Sequence, residues 1–264
     1  MQQGDMYSFL DDYAHHNNLR NANTKLKVLF AISTLVLSVF SASPITPFII
    51  FIVMAFLTIS VAKIPAKFYF KWFSGPIFFT LPVFIIMIFF FGTITWASFN
   101  VFGYKLTAYR DGFNLGLLLV SRVLSGTSCL FFLAFTTPMI ELFSVLKLLK
   151  VPDIVVELSM MMYRYIFVLF DEALRMHNAQ KIRLGCLNFK SAIDSFSLLA
   201  SNLFIKAWER GERLYVAMDS RCYSGKIELL EEDKPIPKLQ LAALIVLEGI
   251  FVAITYLTRD FKWI

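Results

Sequence analysis

Two arginines, Arg183 and Arg221, each close a long run of helical periodicity, with Gly185 and Gly225 a few positions further on. The planar donor fork of arginine binds carboxylates and carbonyls with defined geometry, so both ends suit acidic or hydrogen-bonding sockets on a partner. A helix C-terminus also attracts any cation through its dipole, which is the plainer reading of either arginine alone. Their repetition 38 positions apart in one basic block favours docking. Other groups with chemical potential are weaker. His15-His16 are adjacent, so one helix face cannot present both, and a solvated tail is the better reading than a metal site. His177 stands alone as a surface or interface residue. Met160, Met161 and Met162 suit adaptable packing better than soft-metal binding. Glu231, Glu232 and Asp233 precede Pro235 and Pro237 in a charge-rich linker and read as solvated. The chain has no GxxxxGK[ST] phosphate loop, so no ATP hydrolysis is expected of it. No catalytic residue, metal site or cofactor is predicted on this chain.

The elements that position the arginines follow from charge and hydropathy. No charged residue lies between Lys27 and Lys63, or between Lys71 and Lys105, and 58% of the 264 residues are hydrophobic, including 29 Phe. About 20 apolar residues cross a hydrocarbon core of roughly 30 Å. Five spans are predicted, at 26–40, 48–62, 73–95, 113–137 and 239–257. The first two form a hairpin turning at Pro44 and Pro47. Gly75, Pro76 and Pro82 interrupt the third. The first 27 residues are polar and carry no apolar stretch of leader type, so no cleaved signal is expected. Cys129, Cys186 and Cys222 show no paired spacing and read as free thiols.

Most of the 25 Lys and Arg fall in the N-terminal segment, in the 63–71 loop and in the 141–238 block. That distribution predicts an inside N-terminus, an inside basic block and an outside C-terminus. The chain therefore divides into a tail with four spans (1–137), an inner helical domain (138–238) and a last span (239–264). Within the inner domain, one pattern runs from Pro152-Asp153 to Arg183 without Gly or Pro, apolar first and polar later. A second runs over 191–220, with Ile193, Phe196, Leu199, Leu203, Phe204, Ala207, Leu214 and Met218 at three- and four-residue spacing. It is about 45 Å long if straight, and Gly211 is a place for it to bend or divide. Two ionisable residues lie inside spans. Counted from the span ends, Arg122 and Glu248 fall at similar depth, and the expectation is that they pair or share polar neighbours, the alternative being two independent side chains.

Several stretches resemble the transmembrane component of energy-coupling factor (ECF) transporters, in particular the cobalt-type, CbiQ-like members. These are Pro152-Asp153-Ile154, Met161-Met162-Tyr163-Arg164-Tyr165, Asp171-Glu172-Ala173-Leu174-Arg175-Met176 and Ala179-Gln180-Lys181-Ile182-Arg183. Residues 209–225, with Glu209, Arg210, Met218, Asp219, Ser220 and Arg221, resemble the family's second signature. Phe135-Thr136-Thr137-Pro138 with Glu141, Arg122, and Thr24-Lys25-Leu26-Lys27 also fit. The resemblance covers nearly the whole chain. It implies an all-α membrane protein of about five spans whose long cytoplasmic helices end in Ala-Arg-Gly triplets seated on two ATPases. By position the arginines are Arg183 and Arg221, with Ala179, Gly185 and Ser220 beside them. The triplets themselves depart, to Ile182-Arg183-Leu184 and Ser220-Arg221-Cys222.

The implied role is a non-catalytic subunit of an ATP-driven importer in a prokaryotic plasma membrane. It would pass motion from two ATP-binding-cassette subunits, which hold the ATP and Mg, to a CbiM-like substrate-binding membrane protein. A small CbiN-like accessory protein is a further implied partner, and nucleic acid is not. Cobalt is the implied solute, with nickel or a vitamin as alternatives. A lipid-modifying membrane enzyme would need clustered acids or histidines at the interface, and a scaffold would leave the paired arginines unexplained.

Overall fold

The computed structural model describes residues 17, 19–20, 22–92, 95–101, 104–148, 150–185, 187–223 and 238–258. His15, His16, Cys186, Gly225 and the acidic run 231–233 lie outside them. Helices occupy all five predicted span positions: α1 (Thr24–Phe40), α2 (Ile45–Phe56, extended by a π-helical turn, Leu57–Val61), α3 (Ala66–Phe90), α4 (Arg110–Thr136) and α8 (Lys238–Leu257). Between them run α5 (Met139–Leu148), α6 (Asp153–Ile182) and α7 (Phe189–Asp219). The protein is an all-α membrane protein. Its one departure among the described residues is an antiparallel hairpin of β1 (Thr95–Val101) and β2 (Tyr104–Tyr109) joining α3 to α4. Sequence periodicity did not predict it.

Two compact units emerge. One holds the described residues up to Met139 together with α8, and the other those from 140 to 223. The last span therefore belongs with the first four rather than standing apart.

In the membrane unit, α3, α4 and α8 are long and apolar enough to cross a bilayer. The α1 helix and the α2 segment are each 17 residues, so about 25 Å long. Local chemistry sets their ends. Asn23 caps α1 by accepting from the Lys25 N–H at 2.9 Å. The α2 segment closes before Lys63, whose φ is +58°.

Helix α3 starts at Ala66, seven residues ahead of the predicted Phe73, and carries Pro76 and Pro82 without ending. Lipid supplies no hydrophobic drive between helices, so close backbone approach and polar contacts must hold them. Gly112 and Gly116 on α4 supply the approach: a Cβ on Gly112 would fall 2.1 Å from the Phe91 carbonyl oxygen, and one on Gly116 2.9 Å from the Phe84 ring.

Around these contacts lie two buried clusters, one of Phe30, Ile50, Met54, Phe132 and Phe251, the other of Ile64, Tyr69, Phe73 and Phe135. Tyr69 stacks on Phe73 with ring centroids 5.5 Å apart and bonds Ser128 through its hydroxyl at 2.8 Å. Thr46 on α2 and Thr258, just past α8, share a hydroxyl bond of 2.9 Å. Buried Lys27 donates to the Thr136 carbonyl at 3.0 Å, and Asn17 to the Phe135 carbonyl at 3.2 Å. These groups satisfy carbonyls left open at the end of α4, where a cation is also favoured.

Candidate functional site: paired helix ends

Helices α6 and α7, of 30 and 31 residues, form an antiparallel pair. Both run close to the bounds read from periodicity, and Gly211 lies inside an unbroken α7. The cross-links fix the register. Gln180 donates to the Ser195 carbonyl at 2.8 Å, Lys206 pairs with Glu172, Arg210 lies over the Tyr165 ring at 5.9 Å, and the Tyr223 hydroxyl donates to Glu157 at 2.7 Å. The Lys206 hydrogen bond and charge hold the Glu172 carboxyl below its ordinary range. The bond to Glu157 pushes the Tyr223 phenol above its own.

The register puts the two arginines at opposite ends of the pair. Tyr223, two residues past Arg221, sits on Glu157, which precedes Arg183 by 26 residues of α6. At 1.5 Å per residue the arginines are therefore about 40 Å apart. Both are exposed, as are Ala179 and Ser220. The Ala179 carbonyl accepts from the Arg183 N–H at 3.2 Å, and the Ser220 hydroxyl donates to the Ala217 carbonyl at 3.1 Å.

Both ends close in one way. The residue after each arginine is left-handed, Leu184 at φ +59° and Cys222 at φ +58°. Leu184 N–H donates to Lys181 O and Gly185 N–H to Gln180 O, while Cys222 N–H donates to Asp219 O and Tyr223 N–H to Met218 O. This is the Schellman closure, in which glycine normally takes the left-handed place. Leucine and cysteine adopt it here at a cost, so the departures from Ala-Arg-Gly leave the tight end intact. Gly185 serves another need. A Cβ there would fall 2.6 Å from Ser195 Oγ, and its carbonyl accepts from Ser191 and Ser195 at 2.6 and 2.8 Å. Its value is close approach to α7.

Neither Tyr223 nor Glu157 stood out in the sequence, because a bond spanning 66 positions leaves no local signal. Along α7 no residue is buried: Phe196, Phe204, Trp208 and Tyr215 are 64–73% exposed. His177 and Met162 are also exposed.

Arg122 and Glu248 do not join each other. The Arg122 guanidinium donates to the Ser41 carbonyl at 2.7 Å, and Glu248 accepts from the Ser33 hydroxyl. Their partners lie eight residues apart along α1, or about 12 Å. Counting from span ends placed them level, but α4 begins at Arg110, well beyond where α1 turns back at Ser41. Each meets a different group, Glu248 a serine within α1 and Arg122 the carbonyl of its C-cap.

An α-helical membrane unit and an antiparallel pair of helices, each ending at an exposed arginine, make up the described chain. Residues 15–232 match the model of the CbiQ family, described as cobalt transport protein, and the chain belongs to that family. It is 47% identical to the uncharacterized protein MJ1089 of Methanocaldococcus jannaschii, over 97% of this chain and 95% of that one. It is 37% identical to a putative fused cobalt transport protein CbiMQ of Methanocorpusculum labreanum, over 94% of this chain but 41% of that larger protein. It is 29% identical to the energy-coupling factor transporter transmembrane protein EcfT of Staphylococcus aureus, over 84% of each.

Proposed function

We propose that this chain is the coupling subunit of an ATP-driven cobalt importer of the ECF type. Two ATPase subunits, which hold ATP and Mg, grip the Arg183 and Arg221 ends from the cytoplasm. Their closure moves α6 and α7. The exposed apolar face of α7, with Phe196, Phe204 and Trp208, is the platform for a CbiM-like substrate-binding membrane protein. A CbiN-like accessory protein belongs to the same complex. The observation that carries this reading is the repeated closure with an exposed arginine at each end of one antiparallel pair. A spacing of about 40 Å suits two separate subunits better than one pocket.

Cobalt is favoured by the description of the family and by the CbiMQ relative, in which a related sequence forms part of a larger cobalt transport protein. The EcfT relative supports the coupling role without naming a solute. The distribution of Lys and Arg supports a cytoplasmic N-terminus and coupling unit, with the C-terminus outside.

Co-purification with the cognate ATPases tests the reading. The tagged wild-type chain retains both ATPases, and the folded Arg183→Glu/Arg221→Glu variant loses them. Equal retention by the variant removes the arginines from the interface. Uptake of cobalt(II) measured against nickel(II) by the assembled complex then decides the solute.

A further inference from the structure

Each arginine end is tied to the opposite helix within a few residues. At the Arg183 end the ties are several: Gln180 to Ser195, with Ser191 and Ser195 on the Gly185 carbonyl. At the Arg221 end the Tyr223 hydroxyl donates to Glu157 Oε2 at 2.7 Å. Its acceptor is a fixed point. Glu157 is 5% exposed near the start of α6, beside Val156 at 0%. Its donor is fixed as well, because the Tyr223 N–H closes the α7 end on the Met218 carbonyl at 3.1 Å. One residue thus belongs by its backbone to the arginine end and by its side chain to the other helix. The remaining links along the pair, Lys206 with Glu172 and Arg210 over Tyr165, engage exposed or half-exposed groups and hold weakly.

We propose that Tyr223 is a positioning residue for coupling: it pins the Arg221 end to the start of α6, so that the two arginines keep their spacing and displacement of one end is carried by both helices. The proposal rests on the coupling reading above. Without the pin, α7 could swing at its Arg221 end while Arg183 stayed in place, and an ATPase could close without moving α6.

The test uses proteoliposomes holding the chain, its cognate ATPases and its substrate-binding membrane partner, with radioactive cobalt(II) uptake and phosphate release measured together. Tyr223→Phe keeps the ring and the backbone closure. Its complex is expected to retain both ATPases and hydrolyse ATP, while cobalt(II) taken up per ATP falls on the order of tenfold, as loss of a hydrogen bond to a carboxylate permits. Wild-type uptake per ATP in Tyr223→Phe overturns the proposal, as does loss of the ATPases from that variant, which would make Tyr223 part of the docking surface itself. If the wild-type complex binds no ATPase and couples no uptake to ATP, the coupling reading falls and the proposal with it.

Discussion

The residues that follow the two arginines sit in a backbone region that L-residues other than glycine enter at a cost of roughly 1–2 kcal/mol. Leu184→Gly and Cys222→Gly are therefore expected to stabilise their helix ends by about 1 kcal/mol each, read as slower limited proteolysis there and a raised unfolding temperature in detergent. Gly185→Ala has the opposite sign. Its methyl would press on Ser195 Oγ and on the Gln180 carbonyl at the corner between α6 and α7, and a loss of about 1–3 kcal/mol is expected by the same measurements. The Glu172–Lys206 link adds a pH dependence. The lowered carboxyl pKa means that its contribution is present above the ordinary carboxylate range and lost as pH falls through the lowered value. A series of unfolding temperatures from neutral to acid pH should show this loss, and Lys206→Gln should remove that part of the slope.

At the scale of elements, the α3–α4 contact depends on having no side chain at two positions. Gly116→Leu would drive a branched chain into the Phe84 ring, and a destabilisation of at least about 1–3 kcal/mol is expected, visible as a lowered unfolding temperature or failure to accumulate in the membrane. The same contact shows what the sequence could and could not tell. Charge-free runs announced the spans, and three- and four-residue spacing announced α6 and α7, because burial and amphipathicity leave periodic traces.

The arginines were legible for the same reason, since they sit where the periodicity stops. Which surfaces meet is a different matter. Gly112 and Gly116 read as ordinary glycines until the Phe91 carbonyl is found against the first and the Phe84 ring against the second. Arg122 and Glu248 looked level because the sequence does not reveal that α4 rises past the turn at Ser41. The β1–β2 hairpin left too short a signal between two long apolar runs.

At the scale of the molecule, the antiparallel pair separates its two arginine ends by most of the length of α6. Two sites that far apart act independently in binding. Arg183→Glu and Arg221→Glu singly are each expected to weaken ATPase retention in part, and the double variant to abolish it, with the logarithms of the losses adding. Titration of purified ATPase onto immobilised protein measures this directly.

The closing of the membrane unit bears on the order in which the protein is made. Glu248 on α8 meets Ser33 on α1, and Thr258 meets Thr46, across 215 and 212 positions of chain. The links within the α6–α7 pair span no more than 66. Short loops close quickly and long ones late. During synthesis the helix pair has all its residues before α8 exists, while α1 and α2 are already in the bilayer without their α8 partners. The α6–α7 unit is thus able to reach its final form ahead of the membrane unit that anchors it.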